Sequence, residues 1–269
     1  MDTSSLPLTR NISTTYTLSL ITAFLMTVVS VDGLIYSSSM YPVEELLHSS
    51  VATDVVNVFI VLPVLLWSMS MARRGKLIGL LFWPGAMFIA TYHYIAYTVA
   101  FMTLWQFVIY LLLVFLSGYT IYRLLSSVDS LSIQEQLAGR VPERFAGGVL
   151  TGFGILFFFW RGSLVVQSIM GLAVLSQPEF VTAIADVLLA PAWAIAGMFL
   201  WRKKAFGYVA GAGLLFQLSV LFIGLFIYFA LQPVLAGTPF PVNDFVAVST
   251  MSLVCFIPFG LFVRGMIRS

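Results

Sequence analysis

The stretch "ATDVVNVFIVLPVLLWSMSMARRGKLIG", residues 52 to 79, decides the fold class. It has an acid near its start, continues with an almost unbroken apolar run and ends in a basic cluster. A helix of about 20 apolar residues is long enough to cross a bilayer, so the stretch predicts a membrane span. A weakly similar stretch returns as "AIADVLLAPAWAIAGMFLWRKKAFG", residues 183 to 207.

Composition excludes a water-soluble globular protein. Of the 269 residues, 60% are hydrophobic and only 9% are charged, whereas soluble domains carry about 25% charged residues. The 24 Phe and 6 Trp suit a surface that faces lipid. The lone Cys255 excludes an internal disulfide and a cysteine-based metal cluster. The N-terminal tail is polar and the apolar segment after it can span, so we expect no cleavable signal peptide.

Roughly eight apolar segments satisfy the length of a span. Backbone polar groups in lipid must be hydrogen-bonded within their own segment, so each segment is expected to be helical. The predicted fold is therefore an all-α, polytopic helical bundle. The predicted segments are 16–37, 51–71, 77–99, 101–122, 146–171, 181–201, 206–231 and 245–264.

The basic residues predict the orientation in the membrane. Every Lys and Arg except Arg161 falls in connections on one side of the predicted spans. By the positive-inside rule, we expect both termini on the cytoplasmic side of the membrane. The basic clusters are interpreted as topology determinants, with anionic-lipid binding as the alternative, and they indicate no nucleic-acid partner.

The polar linker 126–144 divides the chain into two halves, 1–125 and 145–269, that we expect to be four-helix repeats. Four is an even number, so two such repeats would point the same way and be related by an axis along the membrane normal. The matched positions are Asp32 with Arg161, Asp54 with Asp186, Arg73 with Arg202 and Gly79 with Gly207.

Polar side chains that topology does not explain gather towards the predicted outer side. Ionisable groups inside a membrane are costly, so they usually pair or line a cavity. We expect an outward-opening polar cavity between the repeats that binds an unidentified small molecule or ion. The expected lining residues are Asp54, Asn57, His93, Tyr97 and Asp186.

A buried ion pair between Asp32 and Arg161 is also expected. Both residues lie at similar depth in matched positions, and each is followed by a glycine that permits close helix approach. This pair would join the two repeats at the same cavity.

Several alternatives remain open from the residues alone. Asp54 and Asp186 could instead cap helix N-termini. His48 and His93 could form a metal or proton-relay site with an acid from Glu44, Glu45 or Asp54, which would favour a membrane enzyme or redox protein. The fixed ligand spacing H-E-x-x-H does not occur, so no metal or cofactor is assigned. A membrane component that acts only through protein partners is the third possibility, and the oligomeric state is not assigned.

The block from Asp54 to Tyr97 resembles an uncharacterised family of multi-spanning prokaryotic membrane proteins. The features that carry the resemblance are Asp54, Leu62-Pro63, Ala72-Arg73-Arg74-Gly75 and the tyrosine-rich segment Tyr92 to Tyr97. The resemblance implies a multi-span helical fold in a prokaryotic plasma membrane but no activity.

The orientation can be tested with reporter tags. Because the basic residues lie almost entirely on one side, tags at the N-terminus, at Ser127 and at the C-terminus should all report a cytoplasmic location. A tag at Gln177 should report the opposite side. A C-terminal tag on the outside would mean that the number of spans is wrong.

Overall fold

The computed structural model describes residues 6–102 and 104–267, and in these ranges the chain forms ten helices and no strand. All except α2 and α6 are long and apolar enough to cross a membrane, which confirms the predicted all-α bundle of eight spans. The helices are α1 (Ser13–Ile35), α2 (Ser37–Met40), α3 (Glu44–Arg73), α4 (Leu77–Ala100), α5 (Gln106–Leu125), α6 (Ser130–Leu137), α7 (Glu143–Ile169), α8 (Gln177–Trp201), α9 (Ala205–Ala236) and α10 (Val242–Ile267).

The turns that follow α3 and α8 have the same backbone geometry. Gly75 and Lys203 occupy equivalent positions with positive φ, 73° and 54°. Lys76 and Lys204 each donate their backbone N–H to the carbonyl five residues back, at 3.0 and 2.8 Å. A left-handed residue just after a helix is a usual way to satisfy its last carbonyls. These turns mark what we call the basic side of the bundle.

The helices α4 and α9 cross in backbone contact at the centre of the bundle. A Cβ atom built on Gly85 would lie 2.5 Å from the carbonyl oxygen of Gly213, so neither position has room for a larger side chain. Small residues at such crossings let membrane helices approach closely. α4 is the most buried of the eight spans, and it therefore forms the centre on which the other elements pack.

The second span begins earlier than expected, at Glu44 rather than at residue 51. Glu44, Glu45 and His48 therefore lie in α3 and not in the connection before it, which corrects the predicted segment 51–71. The physical reason is that Glu44 and Glu45 occupy the first helical turn, where acidic side chains complement the helix dipole.

A π-helical turn, Asn57–Val61, interrupts the α-helical hydrogen bonding of α3. Pro63 follows it and has no N–H to donate to the carbonyl of Phe59, so regular α-helical bonding cannot continue here. Single π turns within α-helices are frequent at functional sites. This turn begins three residues after Asp54, at Asn57.

The linker 126–144 is not an open loop, because it contains α6. Ile133 and Leu137 on α6 are fully buried, and Gln134 donates a hydrogen bond to the backbone carbonyl of Lys203 at 2.7 Å. The backbone N–H of Thr9 donates to the carbonyl of Ser127 at 2.9 Å. The N-terminal segment and the linker thus lie together on the basic side.

Candidate functional site

Asp54 lies deep in the bundle and accepts hydrogen bonds from two tyrosines. Its carboxylate is fully buried, with Tyr41 Oη at 2.5 Å and Tyr97 Oη at 3.1 Å. The Tyr97 hydroxyl also lies 2.9 Å from the carbonyl oxygen of Ser50. Within residues 6–102 and 104–267 no Lys, Arg or His forms an ion pair with Asp54. A buried carboxylate held only by neutral groups is therefore the central feature of this site.

Tyr41 is suited to donate to Asp54. Burial, and then the nearby Asp54 carboxylate, raise the pKa of the Tyr41 hydroxyl above its ordinary value. The hydroxyl therefore keeps its proton at physiological pH. Gly33 on α1 makes room for this contact, because a Cβ there would collide with both the Asp54 carboxylate and the Tyr41 hydroxyl.

A second hydrogen-bonded chain runs beside Asp54, one turn along α3. Asn57 Nδ2 donates to Ser30 Oγ at 3.2 Å, and Asn57 Oδ1 lies 2.7 Å from His93 Nδ1. Since an amide oxygen only accepts, Nδ1 of His93 is the donor, and Nε2 of the neutral ring is left as an acceptor. The polar groups of α1, α3 and α4 are thereby joined.

Asp186 has a different environment, because it pairs with a cation. Arg161 Nε lies 2.8 Å from Asp186 Oδ2, and Tyr92 donates its hydroxyl to Oδ1 at 2.9 Å. The side chains of Arg161 and Asp186 are only 15% and 5% exposed. Arg161 also donates to Thr182 Oγ1 at 2.8 Å. Both carboxylate oxygens of Asp186 are therefore satisfied within the protein.

The predicted ion pair between Asp32 and Arg161 is wrong. Arg161 pairs with Asp186 on the next helix, since α7 and α8 pack against each other through glycines such as Gly154. Asp32 is half-buried on α1, and its neighbour Gly33 serves the contact with Asp54 instead.

The helix-capping interpretation of Asp54 and Asp186 is also wrong. At 1.5 Å per residue, Asp54 lies about 15 Å along α3 and Asp186 about 14 Å along α8, far beyond the first turn. The N-terminus of α8 is capped by Ser176 and Glu179 instead. Both carboxylates lie in the interior of the bundle, so their hydrogen-bond or ion-pair partners must lie there too.

α4 brings the two acids into one layer. Its tyrosines donate to both of them, Tyr97 to Asp54 and Tyr92 to Asp186, while His93 binds Asn57. The five residues expected to line one cavity therefore belong to one buried polar layer. We call this set, together with four side chains that bond to or pair with its members, the polar layer: Ser30, Tyr41, Asp54, Asn57, Tyr92, His93, Tyr97, Arg161 and Asp186.

The metal site considered for the histidines is not assembled. No three His, Cys, Asp or Glu side chains in the described part of the chain lie close enough to hold a metal ion. His93 is buried against Asn57, and His48 lies partly exposed on α3.

The described cavities are not lined by the polar layer. One cavity of about 240 Å³ lies between α4, α5, α8 and α9 and has an apolar lining. Residues of the polar layer instead pack directly on one another. Both halves of the chain contribute to the apolar cavity. It begins near the basic side of the bundle, whereas the expected polar cavity was to open on the opposite side.

Comparisons with known proteins give no match. No protein family, curated protein or solved structure was found that matches this chain. The resemblance of residues 54–97 to a prokaryotic membrane family thus carries no activity over, and the geometry of the site has to support any functional conclusion.

The pairing of Arg161 with Asp186 predicts coupled effects on stability. Arg161→Ala leaves a buried carboxylate without its cation, and losses of this kind cost about 3–5 kcal/mol. In thermal unfolding of the purified protein, Arg161→Ala and Asp186→Asn should each lower the melting temperature. The double variant should lose less than the sum.

Asp32→Asn is the matched control for this experiment. It changes a half-buried acid that lacks an ion pair in the described structure, so it should shift the free energy of unfolding by no more than about 0.5 kcal/mol. A decrease in the melting temperature of the double variant equal to the sum of the two single decreases would contradict the pairing of Arg161 with Asp186.

Proposed function

We propose that this membrane protein is a transporter or small-ligand-binding protein in which Asp54 takes up and releases a proton. The observation that carries the proposal is the fully buried Asp54 carboxylate, which has hydroxyl partners and no ion pair among the described residues. Such a group must bind a proton or a cation when water is excluded, because an uncompensated charge in a membrane interior is too costly.

Asp186 supplies the internal comparison. It is similarly buried but permanently compensated by Arg161 and Tyr92. A buried acid with a purely structural role is expected to have such a cation partner, because an unpaired buried charge destabilises the protein. Asp54 has no such cation partner, and the π turn that begins three residues after it is the kind of irregular helix that accompanies functional sites.

The polar layer supports binding of a polar ligand. His93 has an acceptor nitrogen left over after its bond to Asn57, and the rings of Tyr94 and Tyr110, each with a buried hydroxyl, pack on Tyr97. Polar groups beside an acid are suited to a small polar molecule or an ion. We propose that the layer opens away from the basic side when ligand enters, although it is closed in this conformation.

We also propose that residues 1–125 and 145–269 are parallel repeats joined by the linker 126–144. The support is the shared geometry of the turns at Gly75 and Lys203. The same register matches Gly85 with Gly213, the two residues that meet where α4 crosses α9. Equivalent residues meet in this way when an axis along the membrane normal relates two halves.

Two such halves could move against each other about this crossing. The π turn and Pro63 in α3, and Pro191 in α8, provide places where helices can bend. Movement there would open or close the layer around Asp54. With the orientation expected from the basic residues, the layer would open to the outside of the cell.

A ligand screen followed by transport assays tests the proposal. Purified protein is screened by thermal unfolding against amino acids, sugars, organic acids and amines, and a stabilising compound is then used with proteoliposomes. The wild type should accumulate it when a pH gradient is imposed. Asp54→Asn, which cannot exchange a proton, should lose accumulation to the level of empty liposomes but still exchange labelled for unlabelled compound.

Asp32→Asn is the control and should accumulate the compound as the wild type does. Gradient-driven accumulation by folded Asp54→Asn would contradict the role of Asp54. A wild type that none of the compounds stabilises would count against ligand binding itself.

A further inference from the structure

The apolar cavity between the two halves is separate from the polar layer. Its 240 Å³ are lined entirely by Pro, Gly, Ala, Phe, Ile and Leu residues of α4, α5, α8 and α9. It lies where α4 meets α9, so that Gly85 and Gly213 form part of its wall. No polar side chain lines it, and a polar ligand would therefore lose its hydration without compensation.

The cavity opens on the side of the bundle, towards lipid. Its rim includes Ile195 and Phe206, which are 51% and 40% exposed. Its volume is also below the roughly 300 Å³ at which pockets for small molecules usually begin. A narrow, apolar, half-open groove that faces the membrane suits a single hydrocarbon chain better than a compact ligand.

A basic turn stands at one end of this groove. The walls formed by α8 and α9 are joined by Arg202, Lys203 and Lys204, all exposed. Along α9 the groove extends from Phe206 to Leu214, so it reaches about 15 Å into the membrane from Lys204 at 1.5 Å per residue. The turn is held against α6 by the hydrogen bond of Gln134 to the Lys203 carbonyl.

We propose that this groove binds one acyl chain of an anionic phospholipid, with the headgroup phosphate against Arg202, Lys203 and Lys204. The apolar lining accommodates the chain, and the three cations at its end attract an anionic headgroup. The lipid would contact α4 and α5 of one half and α8 and α9 of the other. It would thus bridge the halves beside the Gly85–Gly213 crossing, at a place distinct from Asp54.

Native mass spectrometry of the full chain tests this proposal. The purified protein is supplied with phosphatidylglycerol or phosphatidylcholine of identical acyl chains. The wild type should retain one phosphatidylglycerol at several-fold higher occupancy than phosphatidylcholine. Ala192→Phe, which fills the groove from α8, should reduce that occupancy several-fold, and so should the double change Lys203→Gln/Lys204→Gln.

The matched control is Arg74→Gln/Lys76→Gln, which removes two charges from the equivalent turn after α3, a helix that does not line the groove. Its occupancy should equal that of the wild type. If both charge variants lose phosphatidylglycerol equally, the attraction is non-specific and the proposal is overturned. Equal retention of phosphatidylglycerol and phosphatidylcholine by the wild type would also overturn it.

If Ala192→Phe does not fold, the comparison of the two charge variants still tests the proposal. Folded Ala192→Phe with undiminished phosphatidylglycerol would show that the chain lies elsewhere. Retention that falls in Ala192→Phe but not in Lys203→Gln/Lys204→Gln would overturn the assignment of the headgroup. None of these results depends on the role of Asp54.

Discussion

The hydrogen bonds of Tyr41 and Tyr97 to the Asp54 carboxylate are the interaction on which the rest of the polar layer depends. The bilayer offers no water to an interior acid, so the protein has to supply every donor itself. To meet this requirement, α1 packs closely against Asp54 at Gly33, and Tyr41 packs against α3. It also directs the tyrosine-rich face of α4 towards the acids.

The two buried acids differ in how the protein compensates them. Asp186 is paired within one hairpin, α7 and α8, with Arg161. Asp54 has no such counter-ion in the described structure, and α3 is irregular directly beside it. If Asp54 exchanges a proton as proposed, its two protonation states can favour different conformations and so shift the balance between them.

The sequence predicts the spans well because span length and apolarity are local properties. The partner of Arg161 was not predictable from matched positions, since it is set by the packing of consecutive helices. The hydrogen bonds of Tyr41 and Tyr92 to the buried acids were not predictable for another reason: a tyrosine near a membrane surface has the same sequence signature whether its hydroxyl meets water or a buried acid. Pro63 prevents regular α-helical bonding at its own position, but its presence in the sequence did not predict the π turn at Asn57 or the bond of Asn57 to His93.

The proton exchange proposed for Asp54 can be tested directly by infrared difference spectroscopy of the purified protein between two pH values. We expect a carbonyl band of a protonated carboxyl group that changes with pH, shifts when Tyr97→Phe removes one hydrogen bond, and disappears in Asp54→Asn. The band should be unaltered in Asp32→Asn. A band that persists in Asp54→Asn and vanishes in Asp186→Asn would contradict the assignment of Asp54 as the proton-exchanging group.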